Sequence, residues 1–391
     1  MFGKNIKFKN FNLKKNNSKK KKIFINIYKN IIKEKNEIIL SLDKNYKDVF
    51  SKKLINKLKN INHVILIGMG GSILGAKAIY NFLNSPKKKF TFIDNFSNIP
   101  LKIPKKKITV VISKSGNTLE TISNSNIFLD KKNTNIFITE NKKSYLMKMA
   151  HKLKSEIIHH NNFIGGRYSV LSEVGMLPAQ LMGFKPEKFR RLNQLINKKY
   201  FTNSLIQNVT NIFDLISKNK TNSIILNYDE KSNDLFSWYQ QLVAESLGKK
   251  NKGILPVISL MPKDNHSLMQ YYLDGKKSQF YTFFFIKEKN KIKIRNKNLF
   301  NTHSFLENKS LNEIAYSQFL ATQKVFSQKK IPYRSFIINN RDEQTLGELF
   351  TFFILETILL GRVMQVNPFD QPAVELIKKQ TKKILISKNY S

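Results

Sequence analysis

The sequence predicts an α/β protein made of two mostly parallel sheets, each flanked by helices. Three observations carry that expectation. Strand-like apolar runs alternate with helical patterns over residues 64–139, and a second alternating set begins near Asn222. Two strand-to-helix turns, Gly68–Gly75 and Ser113–Thr121, are built from glycine and hydroxyl residues. Strands separated by helices read as a parallel sheet, because each parallel pairing needs a crossover long enough to hold a helix.

Residues 1–50 read as a basic, partly helical lead-in, with Met1 to Lys22 a polar stretch that lacks the apolar core of a secretory signal. The first α/β unit spans 51–200. Its strands are expected at Val64–Ile67, Phe90–Ile93, Ile108–Ile112 and Asn135–Thr139, and its helices at Gly75–Leu83 and Thr118–Leu129. A mostly helical bridge follows over Pro178–Ile216. The second unit spans 201–391, with strands at Ser223–Leu226, Ile254–Ile258, Phe280–Ile286 and Tyr333–Ile338. Its helices are expected at Leu235–Leu247, Leu311–Phe326, Thr345–Val363 and Pro372–Leu385. The longest apolar run, Leu349–Val363, holds Glu356 and Arg362 and is too short and too charged to span a bilayer, so it reads as a buried helix.

Composition narrows the function classes. The 391 residues are long enough for more than one α/β unit, and 41% of them are hydrophobic, which fits a folded chain. There is no cysteine, so disulfides and thiolate metal sites are excluded and a cytoplasmic location is expected. The 68 Lys and Arg against 27 Asp and Glu leave a net charge of +41. Those lysines occur in short runs along the whole chain, as at Lys19–Lys22, Lys87–Lys89 and Lys105–Lys107, amid abundant Asn, Ile and Phe. That is a compositional bias rather than a patterned face, and no specific nucleic-acid partner is expected from it. A general attraction for phosphorylated small molecules follows from the same charge.

The turn after Val64–Ile67 lets the backbone approach a ligand closely at Gly71 and Ser72, just where a helix start favours an anion. The dinucleotide pattern G-x-G-x-x-G would need glycine at position 73, where Ile73 stands, so a phosphorylated sugar competes with a nucleotide as the ligand. A tight turn with no ligand reads equally well from this segment alone. The second turn gathers Ser113, Lys114, Ser115 and Thr118, three hydroxyls and one ammonium within six residues, which is what a phosphate monoester requires. Simple N-capping of the following helix is the competing reading. Two such turns in one open sheet would face the same crevice beyond the carboxyl ends of the strands.

Six segments, in order, resemble the phosphoglucose isomerase family. They are Gly68-Met-Gly-Gly-Ser-Ile-Leu-Gly75, Ser113-Lys-Ser-Gly-Asn-Thr-Leu-Glu-Thr121, Gly165-Gly-Arg-Tyr-Ser-Val-Leu-Ser172, Gln240-Gln-Leu-Val-Ala-Glu-Ser-Leu-Gly-Lys249, His266-Ser-Leu-Met-Gln270 and Asn367-Pro-Phe-Asp-Gln-Pro-Ala-Val-Glu-Leu-Ile-Lys378. The resemblance implies two sugar-isomerase (SIS-type) αβα subdomains. It also implies reversible conversion of D-glucose 6-phosphate to D-fructose 6-phosphate, in glycolysis and gluconeogenesis, through ring opening and a cis-enediolate. No metal or organic cofactor is implied, and no His/carboxylate cluster has ligand spacing. A dual isomerase that also accepts mannose 6-phosphate, and a non-catalytic sugar-phosphate-binding regulator, remain as alternatives.

Aldose–ketose isomerisation needs a base next to a carbonyl, and a carboxylate in a dry pocket suits it. Glu245 lies three residues after Leu242 and seven after Trp238, which on a helix sets it beside an apolar face. From residues alone, a helix-end Glu paired with Lys249 four residues on is the preferred reading. By resemblance Glu245 is the base, Gln241 one turn earlier contacts substrate, and Arg167 stabilises the enediolate charge. His266 and Lys378 would open the sugar ring, with His266 contributed by the neighbouring subunit of a homodimer. Gln371 is assigned to substrate binding, and on one continuous helix Lys378 would follow it by about 10 Å. Ala373 stands where glycine is common, Ile377 replaces a small residue, and Lys379 competes with Lys378 for the inward position. Glu173 occupies a place often held by proline.

Overall fold

The computed structural model describes residues 2–13, 18–84, 86–96, 103–288, 292–295 and 300–387. Two five-stranded sheets organise the chain. The first contains β2 (His63–Gly68), β3 (Lys89–Ile93), β4 (Ile108–Ile112), β5 (Thr134–Thr139) and β6 (Glu156–His159), in the order β3-β2-β4-β5-β6 with every pairing parallel. The second contains β7 (Asn222–Asn227), β8 (Leu255–Leu260), β9 (Gln279–Ile286) and β10 (Tyr333–Ile338), parallel throughout, and an antiparallel edge strand β1 (Ile6–Lys9) on β10. β2, β4 and β9 are buried along their whole length, which is why they read as unbroken apolar runs rather than as alternating ones.

In the first sheet the order reverses at β2, whose neighbours are β3 on one side and β4 on the other. The two glycine-and-hydroxyl turns follow β2 and β4, so they flank the point at which an open α/β sheet forms a crevice. The helix leaving the first turn, Leu74–Leu83, packs along the helix Asn233–Leu247 that follows β7, and this contact joins the two sheet units.

The N-terminal segment is not a solvated polar lead-in. Met1 and residues 14–17 of that segment lie outside the described residues, but Phe2, Ile6, Phe8 and Phe11 are buried. Phe2 stacks on Phe352 with ring centroids 4.8 Å apart, and Phe8 meets Phe336 at 4.7 Å. The alternation Ile6-Lys7-Phe8-Lys9, buried at every second position, is a strand signal that the surrounding lysines conceal. The long apolar run is a buried helix, Glu343–Val363, and its Glu356 is neutralised by Arg334 of β10 in a buried ion pair also bonded by Asn208 and Tyr239. Among the described residues, no helix is long and apolar enough to cross a membrane.

Candidate active site

Arg167 is the centre of the site. It lies in the short helix Gly166–Leu171, 2% exposed, far from the surface position that one basic residue among so many would ordinarily take. Its backbone carbonyl accepts from Trp238 Nε1 at 3.1 Å. All the guanidinium N–H groups are engaged. Nε donates to Ser246 Oγ at 2.7 Å, and Nη2 to the carbonyls of Pro368 and Asp370 at 2.8 and 3.1 Å. Nη1 donates to Glu245 Oε1 at 3.1 Å and to Gln371 Oε1 at 2.7 Å. Five donors in a rigid plane matched to five acceptors fix the charge in one orientation.

The same loop is pinned from the other side by glycine. An ideal Cβ on Gly71 would lie 2.2 Å from the carbonyl carbon of Gly166 and 2.4 Å from the nitrogen of Arg167. Gly71 therefore admits the backbone that presents Arg167, a constraint distinct from ligand approach. Gly70, at φ +52°, turns the chain beneath Gln241.

Glu245 sits on the helix Asn233–Leu247, whose Trp238, Leu242 and Val243 are buried. Its Oε2 accepts from Gln241 Nε2 at 2.9 Å, as expected for residues one turn apart. It does not pair with Lys249, which bonds Asp370 at 2.7 Å and the Asn367 carbonyl instead. Gln241 Oε1 is buried with no hydrogen-bond partner among the described residues. An acceptor left so beside a carboxylate suits a hydroxyl donor from outside the chain.

Over the second turn, Ser113 Oγ and Thr118 Oγ1 bond each other at 2.9 Å. Thr118 is the N-cap of the helix Leu119–Phe128 but makes no side-chain capping bond, so the hydroxyls are not used for capping. Gly116 takes φ +64°, where a Cβ would strike Ser144 Oγ. Ser115 is exposed and accepts from the N–H of Asn117, and Ser72 is half-buried in the turn Gly70–Ser72. Lys114 Nζ donates to the Asn162 carbonyl at 2.8 Å and faces Glu140 at 3.5 Å. Burial pushes the Lys114 ammonium below its ordinary range, against the opposing charge of Glu140 and with the like charges of Lys142 and Arg167.

The remaining two sequence assignments fall elsewhere within one chain. His266 is exposed at the end of the turn Lys263–His266, with no hydrogen bond to Arg167 or Glu245. Lys378 points to solvent, its side chain 60% exposed and bonded to Glu375 at 2.6 Å. Gln371 and Lys378 do not share one helix, because the helix starts at Val374 and leaves Gln371 in the preceding strap, clamped by Arg167. Pro372 disfavours helical backbone angles at the residue before it, Gln371, and so keeps the helix from extending back through it. Sequence reasoning missed Ser246, Tyr168 and the Pro368 carbonyl, although all lie inside or next to the segments it singled out. Tyr168 Oη bonds Ser246 Oγ at 2.8 Å and the Pro368 carbonyl at 3.0 Å, and burial pushes its hydroxyl up to about 12.

Fold and site together define an α/β protein of two parallel-sheet units, with a carboxylate paired to a buried guanidinium where the units meet. The sequence model of phosphoglucose isomerase matches residues 13–257. Glucose-6-phosphate isomerase of Methanocaldococcus jannaschii is 31% identical, covering 91% of this chain and 92% of its own length. That of Mycoplasmopsis pulmonis is 32% identical, covering 85% and 84%. In fold, the chain resembles the crystal structure of a hypothetical protein from Thermus thermophilus, with TM-score 0.82, 22% identity and coverage of 94% and 96%. It also resembles a glucose-6-phosphate isomerase from Chlamydia trachomatis, with TM-score 0.70, 18% identity and coverage of 95% and 86%. The chain belongs to the phosphoglucose isomerase family.

Proposed function

We propose that this chain interconverts D-glucose 6-phosphate and D-fructose 6-phosphate, the aldose–ketose isomerase step of glycolysis and gluconeogenesis. The observation that carries the reading is the pairing of Glu245 with Arg167 Nη1 at 3.1 Å, beside the unpartnered acceptor of Gln241. Glu245 takes the proton from C2 of the opened aldose and returns it to C1. The charge that develops on the two oxygens of the cis-enediolate is met by Arg167, already oriented and largely dry. Ser72, Ser113, Lys114, Ser115 and Thr118 hold the phosphate, Gln241 and Gln371 contact the sugar, and Gly71, first expected at the phosphate, instead admits the loop that carries Arg167. Every group the proton transfer needs is a side chain of the chain itself, and among the described residues no carboxylate/histidine cluster could hold a metal.

Ring opening is assigned to Lys378 and to His266, the latter donated across the interface of a homodimer. Support comes from surface chemistry: His266 is followed by the exposed Leu268 and Tyr271, and the helix Val374–Ser387 buries none of its residues while exposing Leu376, Ile377 and Ile386. A cytoplasmic location accords with the absence of cysteine.

The first test follows glucose 6-phosphate made from fructose 6-phosphate with a coupled dehydrogenase. Glu245→Gln should lose about 10²–10⁴-fold in kcat, the range for a general base. A folded wild type without turnover would refute the reading. Mixing unfolded and refolded Glu245→Gln and His266→Gln chains tests the shared site. Donation across the interface gives one intact site in each mixed dimer and restores roughly a quarter of native activity, whereas donation within one chain restores none.

A further inference from the structure

At the mouth of the 113–118 loop lies a carboxylate that has no place in a simple anion pocket. Glu140 follows β5, 6% exposed, and its two oxygens face two different lysines, Lys114 at 3.5 Å and Lys142 in close contact. A negative charge beside a phosphate site opposes binding unless it does something for the cation there. The backbone fixes its place independently of the side chain: Glu140 N–H donates to the Lys114 carbonyl at 3.1 Å, and Lys142 N–H to the Glu140 carbonyl at 2.8 Å.

We propose that Glu140 is a positioning residue for phosphate recognition, holding the Lys114 ammonium charged and aimed along the 113–118 loop, with Lys142 balancing its second oxygen. The proposal rests on reading that loop as the phosphate site. Lys114 has three N–H donors. The Asn162 carbonyl takes one at 2.8 Å and Glu140 draws a second, which leaves the third directed by two fixed partners. Asn162 belongs to the loop that leads into Arg167, so the same ammonium ties the phosphate end of the crevice to the guanidinium end. The charged groups facing Lys114 are Glu140, Lys142 and Arg167. Burial, Lys142 and Arg167 all favour loss of its proton, and Glu140 opposes them. Removing the Glu140 charge would let the proton leave at a lower pH.

Steady-state kinetics on full-length enzyme with fructose 6-phosphate, across neutral to alkaline pH, test this. Glu140→Gln should raise KM about tenfold, the scale of one charge-assisted contact, with kcat within about twofold. The alkaline fall in kcat/KM should begin at lower pH than in wild type, and Glu140→Asp should recover most of the loss. Lys114→Gln should raise KM similarly, with the double variant no worse than Lys114→Gln alone. An unchanged KM in Glu140→Gln, with a raised KM in Lys114→Gln, would overturn the role of Glu140 and leave the phosphate loop standing. An unchanged KM in Lys114→Gln would remove the loop reading and the proposal together. Additive losses in the double variant would make Glu140 merely structural, which also overturns it.

Discussion

Substituting Gly71 by alanine separates two reasons for a glycine in a strand-to-helix turn. If the glycine serves ligand approach, a Cβ obstructs the phosphate and KM rises. The structure gives a different obstruction. The added carbon would stand 2.2, 2.3 and 2.4 Å from the Gly166 carbonyl carbon, its oxygen and the Arg167 nitrogen, where ordinary contact begins at 3.4 Å. All three are backbone atoms, so no side chain can swing aside. The turn Gly70–Ser72 and the loop Gly166–Arg167 must part by about 1.2 Å. Arg167 resists through Trp238 and its five guanidinium contacts, so the displacement is shared between the loop and the turn.

Misplacement by about 1 Å of a catalytic group costs about 10²-fold in rate, and overpacking adds about 1–3 kcal/mol of destabilisation. Gly71→Ala is therefore expected to fold with a lowered melting temperature, to lose about 10²-fold in kcat, and to keep KM for fructose 6-phosphate within about threefold. The coupled assay with a thermal melt measures all three. Gly70→Ala differs in kind: its Cβ would meet the Gln241 side-chain amide at 2.8 Å and alanine is strained at φ +52°, so it should cost stability and disturb Gln241 rather than the Arg167 loop. A tenfold rise in KM with kcat intact for Gly71→Ala would refute the argument.

Two further predictions concern buried charge. Glu356→Gln strips the counter-ion from Arg334, which is completely buried, and should destabilise by about 3–5 kcal/mol in urea unfolding; joint replacement of both residues by Met and Leu should be less harmful than either single change, and equal losses would refute the pairing argument. Glu173 gives an acid limb: burial pushes its carboxyl up, but the His160 hydrogen bond and charge and the Asn161 N–H outweigh burial, so its net shift is downward. A carboxyl lowered in the fold adds stability that is present above its ordinary value of about 4.3 and is lost as pH falls through the lowered one. Urea midpoints should therefore fall as pH drops below about 4 in wild type and change less in Glu173→Gln, whereas parallel curves would rule the pair out as a source.

Much of the fold was legible because parallel strands are buried on both faces and announce themselves as apolar runs: Ile108–Ile112 and Tyr333–Ile338 match the expected bounds. β1 was not, since Lys7 and Lys9 alternate with Ile6 and Phe8 in a lysine-rich segment, and its pairing depends on β10 more than 300 residues away. β6 was lost for the same reason, a four-residue edge strand with two charged or polar ends. For the site, residue types told which groups could do chemistry but not which partner each would choose. Glu245 had Lys249 within helical reach and took Arg167; Lys249 took Asp370. Pairings across 78 or 121 positions are set by how the two units pack, and no local pattern contains them.

That packing explains why the guanidinium can serve as a fixed donor. Ser246 and the Pro368 and Asp370 carbonyls, all from the second unit, occupy Nε and Nη2, and Ser246 is fully buried. Only Nη1 meets side-chain ends that line the crevice, Glu245 and Gln371. One face of the fork is thus spent on orientation, and in the proposed reaction a developing oxyanion would take an Nη1 N–H from Glu245 or Gln371 while the guanidinium itself stays in place. Opposite it, Gln241 offers Glu245 its amide N–H while its own oxygen stays unpartnered. In the proposed reaction, a guanidinium on one side of the carboxylate and an unpartnered acceptor on the other suit a carbonyl oxygen and a hydroxyl on adjacent carbons, the two groups that exchange places between aldose and ketose.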